Sequence, residues 1–425
     1  MNQGAGNRTS LDGRFVRERE CSLRLAARAG ARKQGKPDWL LLGLALALLG
    51  IGLTMVLSSS GVAAMRLHGD PYHFFRRQLL FSGLGLLCLL AACKFPRLKL
   101  EKMQYLLLFG CIAMLLLVFS PLGVSVNGAR RWISLGFIRL QPMEFVKIAL
   151  VIYLAFFLST KQHIIKTFSR GIIPPFLITG LLCLLLLAQP DFGGATVLTA
   201  LLFFMCLVGG TRLLYLAFSA LLAGGAATLL VIMEPYRFKR LTGFMDPFAD
   251  PQGGGYQLVQ SFYAMGSGGL TGTGLGAGRQ KLFYLPEAHT DFIVAVLGEE
   301  AGFIGITLVF ILMALLIWRG LRIALAQPDL RGRLTAFGLT LVLALPMLLN
   351  MAVVSGTVPS KGVPMPFFSY GGTALLSSLI CVGILLNYSR NTVPARAAAP
   401  KDGGAAGRGG QPDFSGPESG GLSHA

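Results

Sequence analysis

The sequence predicts an all-α polytopic membrane protein with about ten transmembrane helices and a long extracytoplasmic loop between the seventh and eighth. Three observations carry that prediction. The 425 residues are 53% hydrophobic and only 13% charged, against roughly 25% charged residues in a soluble domain. Apolar stretches recur at 39–59, 78–96, 104–121, 142–159, 172–189, 193–210, 213–233, 291–318, 335–356 and 367–388, each near the ~20 residues that cross a hydrocarbon core. Polar tails flank this body at both ends.

Residues 1–37 are Arg-rich and hold no apolar run. Such a stretch is too long for the charged region of a signal peptide and reads as a disordered cytoplasmic tail. The transmembrane domain occupies 38–390, and the Gly/Ala/Pro/Ser-rich residues 391–425 read as a second disordered cytoplasmic tail. An even number of spans leaves both termini on one side. That side carries Arg8, Arg14, Arg17, Arg97, Lys99, Lys102, Lys161, Lys166, Arg170, Arg212, Arg319, Arg322, Arg331 and Arg333, which marks it as cytoplasmic.

The opposite side is not poor in basic residues. It holds Arg66, Arg76, Arg77, Arg130, Arg131, Arg139, Arg237, Lys239, Arg240, Arg279, Lys281 and Lys361. A polyanionic ligand such as a pyrophosphate accounts for them, because guanidinium forks match phosphate geometry. Anionic lipid headgroups or acidic partners within the fold account for them equally. The net charge of +19 does not indicate nucleic acid, since the basic residues are scattered and form no aromatic-interleaved patch. Six of the seven cysteines lie in or beside apolar stretches, with no CxxC or Cys/His spacing, so they read as small apolar fillers rather than metal ligands. The glycines of 266–278 do not form GxGxxG, and a dinucleotide fold is not indicated.

Four polar stretches interrupt the apolar pattern. Asn127-Gly-Ala-Arg-Arg-Trp132 precedes Gln141-Pro-Met-Glu144-Phe-Val-Lys147. Pro142 suits a first helical turn, and Glu144 and Lys147 at i, i+3 share a face. They form either an ion pair inside the bundle or a route by which Lys147 reaches a phosphate or sugar. Trp132 stacks on a sugar or sits in the interfacial belt. In Gln189-Pro-Asp191-Phe-Gly, Asp191 reads as a helix cap before it reads as a catalyst. The third stretch holds Glu287, His289, Thr290 and Asp291, with Glu299 and Glu300 about two turns on. Asp291 fits an N-cap position and equally fits a general base at a membrane edge, worth ~10²–10⁴-fold. The fourth, Pro359 to Gly372, contains Lys361, Ser369 and three prolines. It cannot be a regular helix, so at membrane depth it must be buried or line a cavity.

These residues resemble the SEDS family of peptidoglycan polymerases (shape, elongation, division and sporulation) over about 38–390. The resemblance rests on N-G-A-R-R-W-I-S-L-G, Q-P-M-E-F-V-K, Q-P-D-F-G, G-Y-Q-L-V-Q-S, Y-L-P-E-A-H-T-D-F-I and P-S-K-G-V-P-M-P-F-F-S-Y-G-G, in that order. Lys361, the Leu297–Glu300 run and the Q-K-L-F-Y-L-P-E-A stretch look like the division-type members. Met143, Gly254 and Thr373 depart from the usual serine.

The resemblance implies a lipid II-dependent glycosyltransferase. It would join undecaprenyl-pyrophosphate-linked glycan to lipid II at the division septum, with inversion and with Asp291 as the base. It implies substrate contacts from Lys147, Glu144, Arg130, Arg131, Trp132, His289, Thr290, Lys361 and Ser369. It also implies a class B penicillin-binding protein transpeptidase and other divisome membrane proteins as partners, in the bacterial inner membrane. No residue cluster demands a metal, although a divalent cation (Mg or Mn) could sit on the diphosphate. A lipid II flippase, an elongation-type polymerase and a non-catalytic scaffold are the alternatives.

Overall fold

The computed structural model describes residues 35–390, apart from 127, 137, 283, 284, 287, 360 and 361 and the side chains of Leu135, Tyr236 and Arg237. Most of both predicted tails, Glu287 and Lys361 therefore lie outside the described residues. The last residues of the first tail are held in place: Gly35 N donates to Arg390 O at 2.8 Å.

The elements run α1 Trp39–His68, α2 His73–Lys94, α3 Arg97–Lys102, α4 Gln104–Leu117, β1 Gly123–Val126, β2 Ala129–Leu135, β3 Ile138–Leu140 and α5 Pro142–Thr160. A π-turn at Phe168–Ile172 leads into α6 Ile173–Ala188, followed by α7 Phe192–Val208, α8 Leu213–Ile232, α9 Pro235–Met245, α10 Tyr256–Gly268, α11 Ile293–Leu325, α12 Leu330–Val354 and α13 Gly372–Ser389. Ten helices coincide with the ten apolar stretches. Eight have the length and composition to cross a membrane; α4 and α7 are apolar but shorter. The predicted spans 104–121 and 193–210 are thus cut back to 14 and 17 helical residues.

The helical membrane fold stands, with two added features. Between α4 and α5, β1, β2 and β3 form a three-stranded antiparallel sheet. Its first hairpin closes at Val126↔Ala129, with Gly128 at φ +78°, a conformation that costs glycine little. The stretch 291–318 is not one straight span. Gly302 holds φ +65° inside α11, splitting off a half-helix, 293–301. All but Ala301 of that half-helix are buried, whereas Phe303, Ile304 and Leu308 beyond the break are exposed.

Helices α5, α12 and α13 bury most of their residues and form the centre, while α8 buries only Leu216. At one end of the bundle, Arg97 reaches Asp329 Oδ1 and Oδ2 at 2.6 Å and Glu101 at 2.7 Å. Asn387 and Gln327 bind carbonyls of Phe95 and Tyr388 nearby. Burial pushes the Asp329 carboxyl up, but Arg97 and the Gly332 N–H together outweigh it and hold the group below its ordinary range. The hairpin sheet, the Asp191 turn, the long loop and the proline-rich segment gather at the other end. There Phe367 takes φ +68°, which non-glycine residues avoid. Helix α1 packs so closely on it that a Cβ at Gly52 would stand 2.1 Å from Phe367 O.

A side chain at 302 would meet both a forbidden φ and Gly272 N at 2.3 Å. Gly302→Val should therefore lower stability by about 1–3 kcal/mol or more, read as a drop in thermal midpoint in detergent. An unchanged midpoint would show that the break in α11 is not required.

Candidate functional site

Asp291 lies in the turn before the half-helix, half-buried. The sequence fits it equally as a cap and as a base; the N-cap position of α11 is Phe292, which makes no side-chain cap bond. Three successive carbonyls in this turn receive donors from elsewhere in the chain. Tyr370 N donates to His289 O at 2.9 Å, Ser369 Oγ to Thr290 O at 2.5 Å, and Asn350 Nδ2 to Asp291 O at 2.8 Å. The proline-rich segment passes directly over the carboxylate: a Cβ at Gly362 would stand 3.4 Å from Asp291 Oδ2. On the flank, the His289 ring stacks on Phe74 with centroids 5.1 Å apart, and Tyr370 meets Phe74 edge-on at 4.9 Å.

The same Gly362 borders the Asp191 turn. A Cβ at Gly193 would lie 3.1 Å from Val363 Cγ2 and 3.8 Å from Gly362 O. Asp191 caps α7, accepting from Gly194 N at 3.0 Å. Burial pushes its carboxyl up, against the pull of Arg131 and the Gly194 N–H. Arg131, on β2, sits 3.7 Å from Asp191 Oδ1 and donates through Nη2 to Pro190 O. Its Nε is buried and has no hydrogen-bond partner among the described residues. Arg130, by contrast, binds its own hairpin, through Gly123 O at 3.1 Å and Ser120 O at 2.6 Å. Trp132 faces Val124 across the sheet.

Beneath lies the Glu144–Lys147 pair on α5, both residues over nine-tenths buried. Lys147 Nζ stands 3.0 Å and 2.9 Å from the two Glu144 oxygens, and Ser377 Oγ on α13 donates to Glu144 Oε2 at 2.7 Å. Deeper along the half-helix, Glu300 binds Lys281 Nζ at 2.6 Å and Ser58 Oγ at 2.6 Å. Glu299 accepts from the backbone N–H groups of Arg279 and Gln280. Two acids that the sequence places about two turns beyond Asp291 thus bind the long loop to the bundle.

His289, Thr290, Asp291 and Ser369 are therefore brought together, and Arg131, Glu144 and Lys147 form an adjoining group. Asn350, Gln78 and the Lys281–Glu300–Ser58 network escape the sequence reading. Asn350 carried a signal, as a lone amide in an apolar span; the Asn127–Gly128 pair signalled the hairpin. Gln78 carried none. The proline-rich segment borders both the Asp291 carboxylate and the turn that holds the Asp191–Arg131 pair, so an acid and a cation flank the same stretch of chain. Among the described residues no three His, Cys, Asp or Glu side chains gather as a cation cage.

A family model described as "cell cycle protein", covering FtsW, RodA and SpoVE, matches residues 38–393. Stage V sporulation protein E of Bacillus subtilis is 44% identical over 359 residues, 84% of this chain and 98% of that protein. A probable peptidoglycan glycosyltransferase FtsW of Trichlorobacter lovleyi is 44% identical over 353 residues, 83% of this chain and 93% of its own length. Among solved structures, one from a study of how a peptidoglycan synthase complex coordinates polymerization and crosslinking superposes with TM-score 0.67 at 30% identity, covering 84% of this chain and 98% of the other. The rod shape determining protein RodA of Thermus thermophilus gives TM-score 0.63 at 30% identity, with 84% and 98% covered.

Removing one partner of a buried ion pair costs about 3–5 kcal/mol, whereas replacing both with neutral groups costs far less. Lys147→Met alone should thus lower the thermal midpoint more than Glu144→Gln combined with Lys147→Met. Equal midpoints for the single and double variants would show that Lys147 is not held by its partner.

Proposed function

The chain belongs to the FtsW, RodA and SpoVE family of cell cycle proteins, and from that premise we propose a polymerase mechanism centred on Asp291. The protein is a peptidoglycan glycosyltransferase of the membrane. Its acceptor is lipid II and its donor the glycan carried on undecaprenyl diphosphate. The Asp291 carboxylate takes the proton of the acceptor 4-hydroxyl as that oxygen attacks the anomeric carbon. The bond from that carbon to the diphosphate oxygen breaks, the electron pair leaves with the diphosphate, and the configuration inverts. General-base assistance of this kind contributes ~10²–10⁴-fold.

One observation carries the assignment: Asp291 sits half-buried beside Gly362, at the end of the bundle that also presents Arg131. A diphosphate needs fixed cations where its charge develops. Arg131 is aimed by Asp191 and Pro190 and keeps Nε unspent among the described residues. Lys361, next to Gly362 in sequence, is a further candidate cation. A divalent cation on the diphosphate would share the neutralisation. Lys147 and Glu144 act beneath the site by holding α5 against α13, which fixes the hairpin that carries Arg131.

A class B penicillin-binding protein transpeptidase is the partner, since the structural relative comes from a complex coupling polymerization to crosslinking. The Lys361 and Leu297–Glu300 motifs favour the division septum as the working place. On this reading the described hairpin, long loop and proline-rich segment face the extracytoplasmic side and both termini the cytoplasm.

The test is reconstitution of the full chain with its transpeptidase and lipid II. Asp291→Asn should cut glycan synthesis by ~10²–10⁴-fold while the thermal midpoint stays put. Glycan chains made equally well by folded Asp291→Asn protein would sink the base assignment. Transbilayer movement of lipid II without polymer would favour a flippase instead.

A further inference from the structure

We propose that Asn350 and Ser369 are positioning residues for this reaction, acting through the Asp291 backbone rather than on substrate. The inference rests on the reading of Asp291 as the base, and concerns what aims it. A residue in a turn has more freedom than one in a helix, and Asp291 lies just outside α11. The backbone ladder of that helix starts from the Phe292 carbonyl, which receives Ala295 N. Asp291 O is left for an outside donor, and Asn350 Nδ2 supplies it from α12 at 2.8 Å. Ser369 Oγ fixes the peptide before it, through Thr290 O at 2.5 Å.

Ser369 is itself fixed. Ser369 Oγ accepts from Met365 N at 2.8 Å. Gln78 on α2 grips the same segment from below, donating to Ser369 O and accepting from Gly371 N, each at 3.3 Å. Gln78, Asn350 and Ser369 are 1%, 3% and 3% exposed, so none of the three presents itself to a ligand from solvent. Asn350 makes its one hydrogen bond to Asp291; its amide oxygen has no partner among the described residues. A leucine would pack there without an unspent polar atom, so the amide is explained by the carbonyl it holds. Helix α12 and the proline-rich segment, itself held by Gln78 of α2, thus converge on two peptide units. Ser369, which the sequence suggested as a substrate contact, is spent on this clamp.

A catalytic group must be held within about 0.5 Å of its productive place, and a displacement of about 1 Å can cost ~10²-fold. In the reconstituted complex, Asn350→Ala and Ser369→Ala should each lower kcat by about tenfold or more, with KM for lipid II unchanged. Ser369→Thr, which keeps the hydroxyl, should retain most of the rate. In the Asp291→Asn background, adding Asn350→Ala should lower the residual rate no further, because nothing is left to aim. A purely structural role would cost the same factor in both backgrounds, and that result, or wild-type kcat for Asn350→Ala, overturns the proposal. Full activity of Asp291→Asn alone would instead overturn the base assignment beneath it.

Discussion

Backbone groups at membrane depth have no water to turn to, and the rest of this structure depends on how that constraint is met. Regular helices satisfy themselves. The site end contains two departures: the turn before the half-helix and the proline-rich segment leading into α13. Each leaves carbonyls and N–H groups outside any ladder. The molecule resolves this by pairing the two departures with one another. Tyr370 N meets His289 O, and the Ser369 hydroxyl bridges Met365 N and Thr290 O. Asn350 and Gln78 supply the remaining donors and acceptors. Irregular backbone, which chemistry needs for access and for unusual side-chain directions, is tolerated because its polar groups are completed from neighbouring elements.

The charged pairs follow the same logic with larger stakes. Glu144 with Lys147 and Glu300 with Lys281 are buried, and each carboxylate takes a further hydroxyl, from Ser377 or Ser58. A buried pair seldom stabilises a fold relative to apolar packing, but its geometry is hard to leave once formed. One pair locks α5 beneath the hairpin, and the other locks the long loop onto the half-helix. Packing between helices in lipid has little hydrophobic drive, so these polar bonds fix register where apolar contact alone would permit sliding.

Much of this was legible in the chain. All ten apolar stretches became helices, because a run of Leu, Val and Phe near twenty residues long has few other options in lipid. Asp191 was legible as a cap, and the Glu144–Lys147 spacing as a pair. The break at Gly302 was hidden: one glycine in an apolar run usually packs rather than bends, and only contact with Gly272 settles which. The sequence left Asp291 between cap and base, and the donors that reach its turn come from 59 and 79 positions away in sequence. Ser369 entered as a substrate contact through the family resemblance alone; the Thr290 carbonyl and Met365 N–H that its hydroxyl meets are announced by no local pattern.

The isolation of residues 293–301 from the rest of α11 also bears on when the site comes into being. Nine residues are too few to hold a helix unaided; isolated helices shorter than about 12–15 residues are marginal. The half-helix needs the long loop, α10 and the proline-rich segment around it, and that segment follows α12 in the chain. The turn bearing Asp291 therefore acquires its shape only after nearly the whole polypeptide has been inserted. Assembly order thus leaves that turn unshaped in a partly synthesised chain, and truncation before the proline-rich segment removes the Ser369 and Tyr370 that hold it.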